Sequence, residues 1–242
     1  RSEMCIRDRG WGWTIWLILL AGAIASAGFI RLQATADARG ASPLVPLTLF
    51  RDRNYLAGSV GIIAMGFMAA AVMLPIMLWL QTMQGIPAGE AGIIVAPMAL
   101  VSLLISPLAG IMADYVNPRI LGVVGFSILI LSLLAAWWVM HVDALPWVLG
   151  LPLAGLGVGQ SFIWGSNAAT TLRDVPPVLM GAASGVYNTS RQVGSVVGVA
   201  LVSAVMQTGD PAVALINSLL VIVVALVVGL VSALCFRDTL QG

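Results

Sequence analysis

VALINSLLVIVVALVVGLVSALCF, at residues 213–236, is a run of 24 residues without a single charged side chain. A bilayer core about 30 Å thick requires roughly 20 apolar residues for one helical crossing, so this run is long enough to span a membrane. In a helix every backbone N–H and C=O group is satisfied within the segment, which lipid requires. The run therefore predicts a transmembrane helix.

Six further apolar runs precede this one. They occupy residues 11–31, 56–80, 89–112, 119–140, 146–170 and 179–206. Apolar residues make up 60% of the 242 positions and charged residues only 9%, which excludes an ordinary soluble domain. We therefore predict an all-α integral membrane protein of about seven transmembrane helices. Three prolines within the runs are expected to kink or loosen their helices: Pro75, Pro97 and Pro107.

Residues 1–10 have a composition unlike the rest of the chain. They carry three Arg, one Glu, one Asp and Cys5 ahead of the first apolar run. We interpret them as a non-native tail of the kind that a translated adapter leaves, and we exclude them from fold prediction. A genuine polar N-terminus is the alternative.

The placement of arginine predicts the orientation of the spans, because positive charge in short loops is retained on the cytoplasmic side. Seven arginines lie in or beside the first, third and fifth loops or after the last span: Arg31, Arg39, Arg51, Arg53, Arg119, Arg173 and Arg237. The second, fourth and sixth loops contain none. We therefore place the loop at 32–55 and the C-terminus at 237–242 in the cytoplasm. The arginines of the tail contradict this, which indicates that the tail is not native or that an upstream part is missing.

The first loop is long enough to be more than a turn. Its apolar stretch PLVPLTLFR, at 43–51, can sink into the membrane interface while Arg51 and Arg53 meet anionic headgroups. An ordinary linker is the alternative interpretation.

Several kinds of chemistry find no support in the sequence. Cys5 and Cys235 have no disulfide or metal-ligand spacing, and the only histidine is His141. All eleven cationic residues are Arg, so a phosphate-binding loop ending in Gly-Lys is absent, and no basic patch for nucleic acid is present. The spans also lack the paired Asp, Ser with His, or His pair that intramembrane proteolysis needs. We predict no enzyme activity, metal site, cofactor or nucleic-acid partner.

Glycines recur four residues apart in the later runs, which places both members of each pair on one helix face. The pairs are Gly155 with Gly159, Gly181 with Gly185, and Gly194 with Gly198. Small residues let neighbouring backbones approach closely in lipid. We interpret all three pairs as helix-packing sites rather than ligand sites.

Arg191 is the residue that most strongly indicates function. It lies about twelve residues into its run, roughly 18 Å along the helix axis and hence near the membrane midplane. A charge at that depth costs a few kcal/mol and should face a partner or a wet cavity. Its helical face also carries Ser184, Tyr187, Asn188, Gly194, Ser195 and Gly198, with Gln192 alongside. This polar stripe is either a wall of a substrate or ion pathway or a structural Arg bonded to carbonyls or to an acid on another helix.

A weaker polar stripe occurs in the preceding run, where Gln160, Trp164 and Asn167 stand at i, i+4 and i+7. These residues either line a cavity or make ordinary hydrogen bonds between helices. No Asp or Glu falls in the middle of any run, Glu90 being close to the outer end of its own. If transport is coupled to protons, the titrating carboxylate is therefore not expected in this chain.

The stretch GAASGVYNTSRQVGSVVGVA, at 181–200, resembles the late helix of the fourteen-span drug:proton antiporters of the major facilitator superfamily, the EmrB/QacA type. Other pieces agree in order along the chain: PLVPLTLFR at 43–51, LQTMQG at 80–85, Ala91-Gly92, Pro97, and GIMAD at 110–114 leading into Pro118-Arg119. The last of these resembles the C-terminal copy of the cytoplasmic loop motif of that superfamily.

The resemblance implies that residues 56–236 form the C-terminal six-helix bundle and that residues 11–31 form a preceding linker helix. It would place Asp114 and Arg119 in a charge cluster that stabilises a cytoplasmic gate, and Asn188, Arg191 and Gln192 in the late-helix motif. Two departures are visible. Tyr115-Val-Asn117 stands where basic residues are usual, and Ser195 stands where a second Gly is common.

The resulting expectation is a secondary transporter in the cell membrane that exports drug-like or amphipathic compounds in exchange for protons. Its partners would be the bilayer, a small-molecule substrate and a missing N-terminal half of the same transporter. A membrane scaffold subunit and an importer of another facilitator family are the alternatives. The sequence does not indicate the substrate or the oligomeric state.

Overall fold

A computed structural model describes residues 13–34 and 47–236, and all regular secondary structure in these ranges is helical. The α-helices are α1 Trp13–Ala34, α2 Arg53–Ala71, α3 Met73–Leu78, α4 Ala88–Tyr115, α5 Pro118–His141, α6 Gly150–Leu172, α7 Met180–Met206 and α8 Pro211–Leu234. Short 3-10 helices lie at Leu47–Arg51, Pro146–Leu149 and Pro177–Leu179, and a π-helical turn covers Trp79–Met83.

Six helical segments among the described residues are long and apolar enough to cross a membrane. They are Arg53–Met83, Ala88–Ala113, Pro118–His141, Pro146–Leu172, Pro177–Met206 and Pro211–Leu234. The predicted all-α membrane fold is thus confirmed, with α1 as a preceding helix whose apolar part is the shorter Trp16–Ala25. A seventh crossing by α1 stays a prediction. The tail at 1–10, the middle of the first loop and the C-terminus at 237–242 lie outside the described residues.

Contacts divide the chain into one unit up to Leu47 and a second that begins at Thr48 and contains all six spans. Within the second unit, α6 packs against α4, α5 and α2. Helix α2 also packs against α7 and α8, and α8 in turn packs against α5. Helices α2 and α6 are therefore central to this bundle, whereas α4 packs mainly on α6.

Polar caps mark where several spans begin. The carboxylate of Asp52 accepts a hydrogen bond of 2.7 Å from the backbone N–H of Tyr55 at the start of α2. Asn117 accepts a bond of 2.9 Å from the backbone N–H of Arg119 at the start of α5. Asp210 caps α8 in the same way and is followed by Pro211. These side chains satisfy backbone donors that a helix leaves free at its start, so the spans begin at polar residues.

Pro75 explains the break in the first span. α2 ends at Ala71 and α3 begins at Met73. Proline at position 75 has no N–H for the carbonyl of Ala71, four residues earlier, and its ring crowds that carbonyl. The expected loosening at Pro75 is therefore observed. Pro97 and Pro107 lie inside α4, which remains a single helical element.

The core between α5 and α8 depends on size complementarity. The ring of Phe126 is almost completely buried and lies where a side chain at Gly229 would otherwise project. A Cβ on Gly229 would stand 2.3 Å from an edge carbon of that ring. Gly122 provides similar room for Ala233, with 3.1 Å between its would-be Cβ and the Ala233 methyl carbon. The large ring of Phe126 on α5 therefore fills the space that the missing side chain of Gly229 leaves on α8.

The end of the first loop packs on the bundle. Leu49 is buried in a small cluster with Tyr55, Val175 and Ala183, and the Tyr55 hydroxyl donates a 3.0 Å bond to the backbone carbonyl of Ala183. Leu49 is thus covered by protein, and the position of the loop on the membrane surface stays a prediction.

Candidate transport pathway

Arg191 lies close to the middle of α7. It is the twelfth of the 27 residues in Met180–Met206, two positions before the central residue 193. The residue is half-buried. A cation at this depth is costly in lipid and needs compensating interactions.

Trp164 provides one such interaction. The guanidinium carbon of Arg191 lies 6.0 Å from the centroid of the Trp164 ring, at the outer limit of a cation–π contact. Trp164 belongs to α6 and Arg191 to α7. The two polar stripes predicted on separate helices therefore meet at this pair.

Asn167, one turn after Trp164 on α6, joins three helices. Its side-chain amide donates hydrogen bonds of 3.0 Å to the backbone carbonyl of Gly58 on α2 and 2.9 Å to the hydroxyl oxygen of Tyr187 on α7. Its amide oxygen is buried and has no hydrogen-bond partner among the described residues. Gly61 makes room for that oxygen, because a Cβ at Gly61 would stand 2.9 Å from it. Asn167 therefore makes the hydrogen bonds between helices that were one of the two interpretations of this stripe, and a cavity-lining role for the stripe stays a prediction.

The predicted face of α7 divides into two halves in the structure. Tyr187, Gly194 and Gly198 are buried, whereas Asn188 and Gln192 are exposed. The Asn188 amide donates only to the carbonyl of Ser184 in its own helix, at 3.2 Å. Arg191 stands at the border between the halves. The predicted stripe therefore consists of buried residues that pack against other helices and of exposed residues that do not.

Close backbone contact with α2 holds Arg191 in place. A Cβ on Gly66 would stand 2.2 Å from the carbonyl oxygen of Arg191, and one on Gly194 would stand 2.1 Å from that of Ile63. Ser195 adds a hydrogen bond of 3.1 Å from its hydroxyl to the carbonyl of Gly66. Only glycine permits such an approach, so the backbone of α7 is fixed against α2 on both sides of Arg191.

Two of the three predicted glycine pairs are confirmed as packing sites. Gly194 and Gly198 lie against the backbone of α2, with 2.7 Å between a Cβ on Gly198 and the carbonyl oxygen of Phe67. Gly155 and Gly159 lie against α5. Packing at Gly181 and Gly185 stays a prediction, since no described atom lies within 4 Å of a Cβ at either position. A four-residue spacing identifies a helix face but not what faces it.

Comparison with known proteins now identifies the family. The sequence profile of the Major Facilitator Superfamily matches residues 4–199. The chain belongs to the Major Facilitator Superfamily. The resemblance predicted from the late-helix motif is confirmed at that level, and its helices are those of a multi-pass membrane transporter family.

Relatives of this facilitator chain carry names linked to drug resistance and export. It is 34% identical over 203 residues to the uncharacterised MFS-type transporter Rv1250 of Mycobacterium tuberculosis, covering 83% of this chain and 34% of that protein. It is 28% identical over 198 residues to the multidrug resistance protein Stp of the same species, covering 81% and 36%. It is 30% identical over 217 residues to the tetracenomycin C resistance and export protein of Streptomyces glaucescens, covering 85% and 38%. The chain thus spans little more than a third of the length of these relatives.

The facilitator bundle leaves two helices largely uncovered. α4 and α7 are the least buried of the six spans. α4 exposes Leu103 and Leu104, at 72% and 70% of their surface, and α7 exposes Val196 at 70%. The exposed Asn188 and Gln192 and the half-buried Arg191 lie on this uncovered α7. The polar candidates on α7 therefore occupy one of the two helices with the most surface available to a neighbour.

The remaining candidates are Gln160, Asp114 and Arg119. Gln160 is half-buried on α6, one turn before Trp164. Arg119 is exposed in the first turn of α5, and the side chain of Asp114 lies outside the described part of the structure. A gate cluster formed by Asp114 and Arg119 thus stays a prediction.

Sequence reasoning missed the hydrogen bond between Asn167 and Tyr187, although it named both residues. It also missed a second polar link, in which the hydroxyls of Ser102 on α4 and Ser161 on α6 lie 3.1 Å apart. A signal near this link was present in the chain, since Gly61 has no side chain opposite Asn167 and Gly58 has none opposite Thr171, one turn further along α6. The serine pair also has a glycine beside it, since a Cβ on Gly157, one turn before Ser161, would stand 3.1 Å from the backbone nitrogen of Ser102.

Proposed function

We propose that this chain is the C-terminal half of a fourteen-span facilitator that exports drug-like or amphipathic compounds in exchange for protons. The names of its relatives support export of such compounds, and their greater length supports a partner half. The helix α1 would serve as the linker helix ahead of the six-helix bundle. The arginine pattern supports a cell-membrane protein with its C-terminus in the cytoplasm.

The observation that carries the proposal is the position of Arg191 in a bundle without interior acids. The Asp and Glu residues of the bundle lie at the ends of helices or in the loops: Asp52, Glu90, Asp114, Asp143, Asp174 and Asp210. Among the described residues, the contact shown for this guanidinium group is the one with Trp164, which supplies only part of the compensation that a cation at midspan needs. Water, substrate or a carboxylate of a second half would complete it, which supports a polar cavity beside α7.

The distribution of burial supports the way the two halves would work. α2 and α6 are central and fixed by backbone contacts, whereas α4 and α7 are uncovered. In secondary transporters one bundle rocks against another around a site near the midplane. α4 and α7 would face the second half in such an arrangement. Arg191, Asn188 and Gln192 would then line the cavity from this side, and Trp164 would offer an aromatic face to an amphipathic substrate.

Coupling to protons would require groups that titrate inside the membrane. This bundle has no interior carboxylate, so the titrating acids are expected in the second half. Arg191 would then act as a fixed positive charge that favours the ionised form of those acids. Binding of substrate or protonation of the acids would break their ion pair with Arg191. The role of this half in coupling would be electrostatic and not proton-carrying.

The test is efflux from cells that express the gene with its upstream reading frame restored. We expect efflux of a cationic dye such as ethidium, collapsing when a protonophore removes the proton gradient. Arg191→Gln is expected to lower the efflux rate at least about tenfold, and Arg191→Lys, which keeps the charge, is expected to retain more activity.

Each outcome has a clear meaning. Unchanged efflux in Arg191→Ala, with normal membrane insertion, would show that the polar stripe is only structural. Efflux that survives the protonophore would contradict proton coupling. A restored protein without efflux of any dye tested would favour the scaffold alternative.

A further inference from the structure

An open apolar groove lies between α2 and α8 at the end of the bundle where α2 begins. Its volume is about 410 Å³, and its apolar walls include Leu56 and Val60 on α2 and Val228 and Val231 on α8. A volume of that size lies in the usual range for small-molecule sites, about 300–1,000 Å³.

The groove opens outward from the bundle. Leu56, Val228 and Val231 are exposed over 47%, 51% and 54% of their surface, although they stand on spans long enough to cross a membrane. On these spans such surface is adjacent to hydrocarbon, so an acyl chain fits the groove chemically. Arg53 and Val60 are seven residues apart on α2, so the wall extends roughly 10 Å below the arginine.

Arg53 closes the groove at the helix end. Its Nε donates a hydrogen bond of 2.8 Å to the backbone carbonyl of Cys235, the residue that caps α8. This bond fixes the direction of the guanidinium group. Arginine has five N–H donors, and the other four of Arg53 have no hydrogen-bond acceptor among the described residues. A planar group with free donors matches the geometry of a phosphate.

The geometry points to an anionic phospholipid as the occupant, with its phosphate on Arg53 and one acyl chain in the groove. A positive charge at the end of an apolar groove complements a phospholipid, whose negative headgroup lies at the end of its apolar acyl chains. Arg51, exposed two residues earlier, adds to the attraction for a negative surface. A second half of the protein is a poorer match, since α4 and α7 offer it far more uncovered surface than this slot. The site does not depend on the proposed function.

Native mass spectrometry of the full 242-residue chain in detergent tests the proposal, with phosphatidylglycerol and phosphatidylcholine of identical chains as probes. We expect the wild-type protein to retain phosphatidylglycerol about fivefold better, because both lipids carry a phosphate but only phosphatidylglycerol lacks the choline cation that would repel an arginine. Arg53→Gln is expected to remove that preference. Arg51→Gln makes the same change of charge outside the groove and is expected to leave most of the preference intact.

A second pair of variants tests the groove itself. Val231→Trp fills the slot without touching Arg53 or its hydrogen bond, and is expected to lower retention of both lipids at least threefold. Val224→Trp adds the same bulk two turns earlier on α8, at a residue exposed over 65% of its surface and outside the groove, and is expected to change nothing. This pair of variants tests whether the groove holds an acyl chain even if Arg53→Gln fails to fold.

Several outcomes would overturn the proposal. Equal retention of the two lipids by the wild type would exclude selection for a net negative headgroup and so contradict the proposal. An equal loss of preference in Arg51→Gln would indicate general surface charge, and displacement by inorganic phosphate alone would indicate an anion site without an acyl chain. Retention of neither lipid, together with protection of Cys235 from a lipophilic maleimide, would show that a protein segment covers the groove.

Discussion

Gly194 lies so close to Ile63 that a Cβ on the glycine would stand 2.1 Å from the carbonyl oxygen of Ile63. The contact is between two backbones and has no flexible side chain that could yield. It lies one turn from Arg191 and sets the distance between α2 and α7 at the level of the candidate pathway.

We predict that Gly194→Ala destabilises the bundle by about 1–3 kcal/mol, because the added methyl must push the two helices apart. Gly185→Ala is the matched control on the same helix, since nothing described lies within 4 Å of its would-be Cβ. The control is expected to be neutral, or to stabilise by up to about 1 kcal/mol through better helix propensity. Reversible unfolding in mixed micelles measures both variants. Equal effects at the two positions would contradict the packing assigned to Gly194.

Gly229 and Phe126 should compensate for each other. Gly229→Ala would place a methyl 2.3 Å from the buried ring and is expected to cost about 1–3 kcal/mol. Phe126→Leu alone leaves unfilled space and is also expected to destabilise. The double variant should be more stable than the sum of the two losses predicts, by about 0.5–3 kcal/mol. A purely additive cycle of unfolding free energies would show that the two residues do not pack as described.

The hydrogen bond from Asn167 to Tyr187 should show measurable coupling. Tyr187→Phe removes the accepting hydroxyl and keeps the ring, whereas Asn167→Ala removes the amide and also its bond to Gly58. Hydrogen bonds between membrane helices average about 0.6 kcal/mol and reach about 1.7. We expect a coupling energy in that range from a double-mutant cycle. Thr189→Ala is the control on α7, since its hydroxyl donates only to Gly185 in the same helix, and its coupling to Asn167→Ala should be zero.

The predicted orientation can be tested with single cysteines after Cys5 and Cys235 are replaced by Ser. Asn117 lies in the loop before α5 and Thr208 in the loop before α8, at opposite ends of the bundle. In intact cells, a membrane-impermeant maleimide is expected to label Thr208→Cys and to leave Asn117→Cys unlabelled until the membrane is permeabilised. The reverse pattern would invert the topology inferred from arginine.

How far the sequence predicts this protein can be judged from particular residues. The span containing Arg191 was predictable from its apolar length, and its depth follows from counting along the helix. Its contact with Trp164, 27 positions earlier, was not predictable, because it depends on how α6 and α7 lie together. Asn188 and Asn167 illustrate the same limit. Both were polar candidates, yet one is exposed and the other ties three helices together.

The sequence alone determined that these stretches are membrane helices. Lipid requires about 20 consecutive apolar residues and a backbone whose hydrogen bonds are satisfied within the segment, and both conditions can be checked on one stretch of sequence without knowing its neighbours. It also determined that Arg191 has no acid at its depth anywhere in the chain. Only the tertiary structure decided which face of each helix is covered. In a membrane, the side against lipid and the side against protein are both apolar, so hydropathy cannot separate them. That is why Gly194 proved to be a contact and Gly185, with the same spacing pattern, did not.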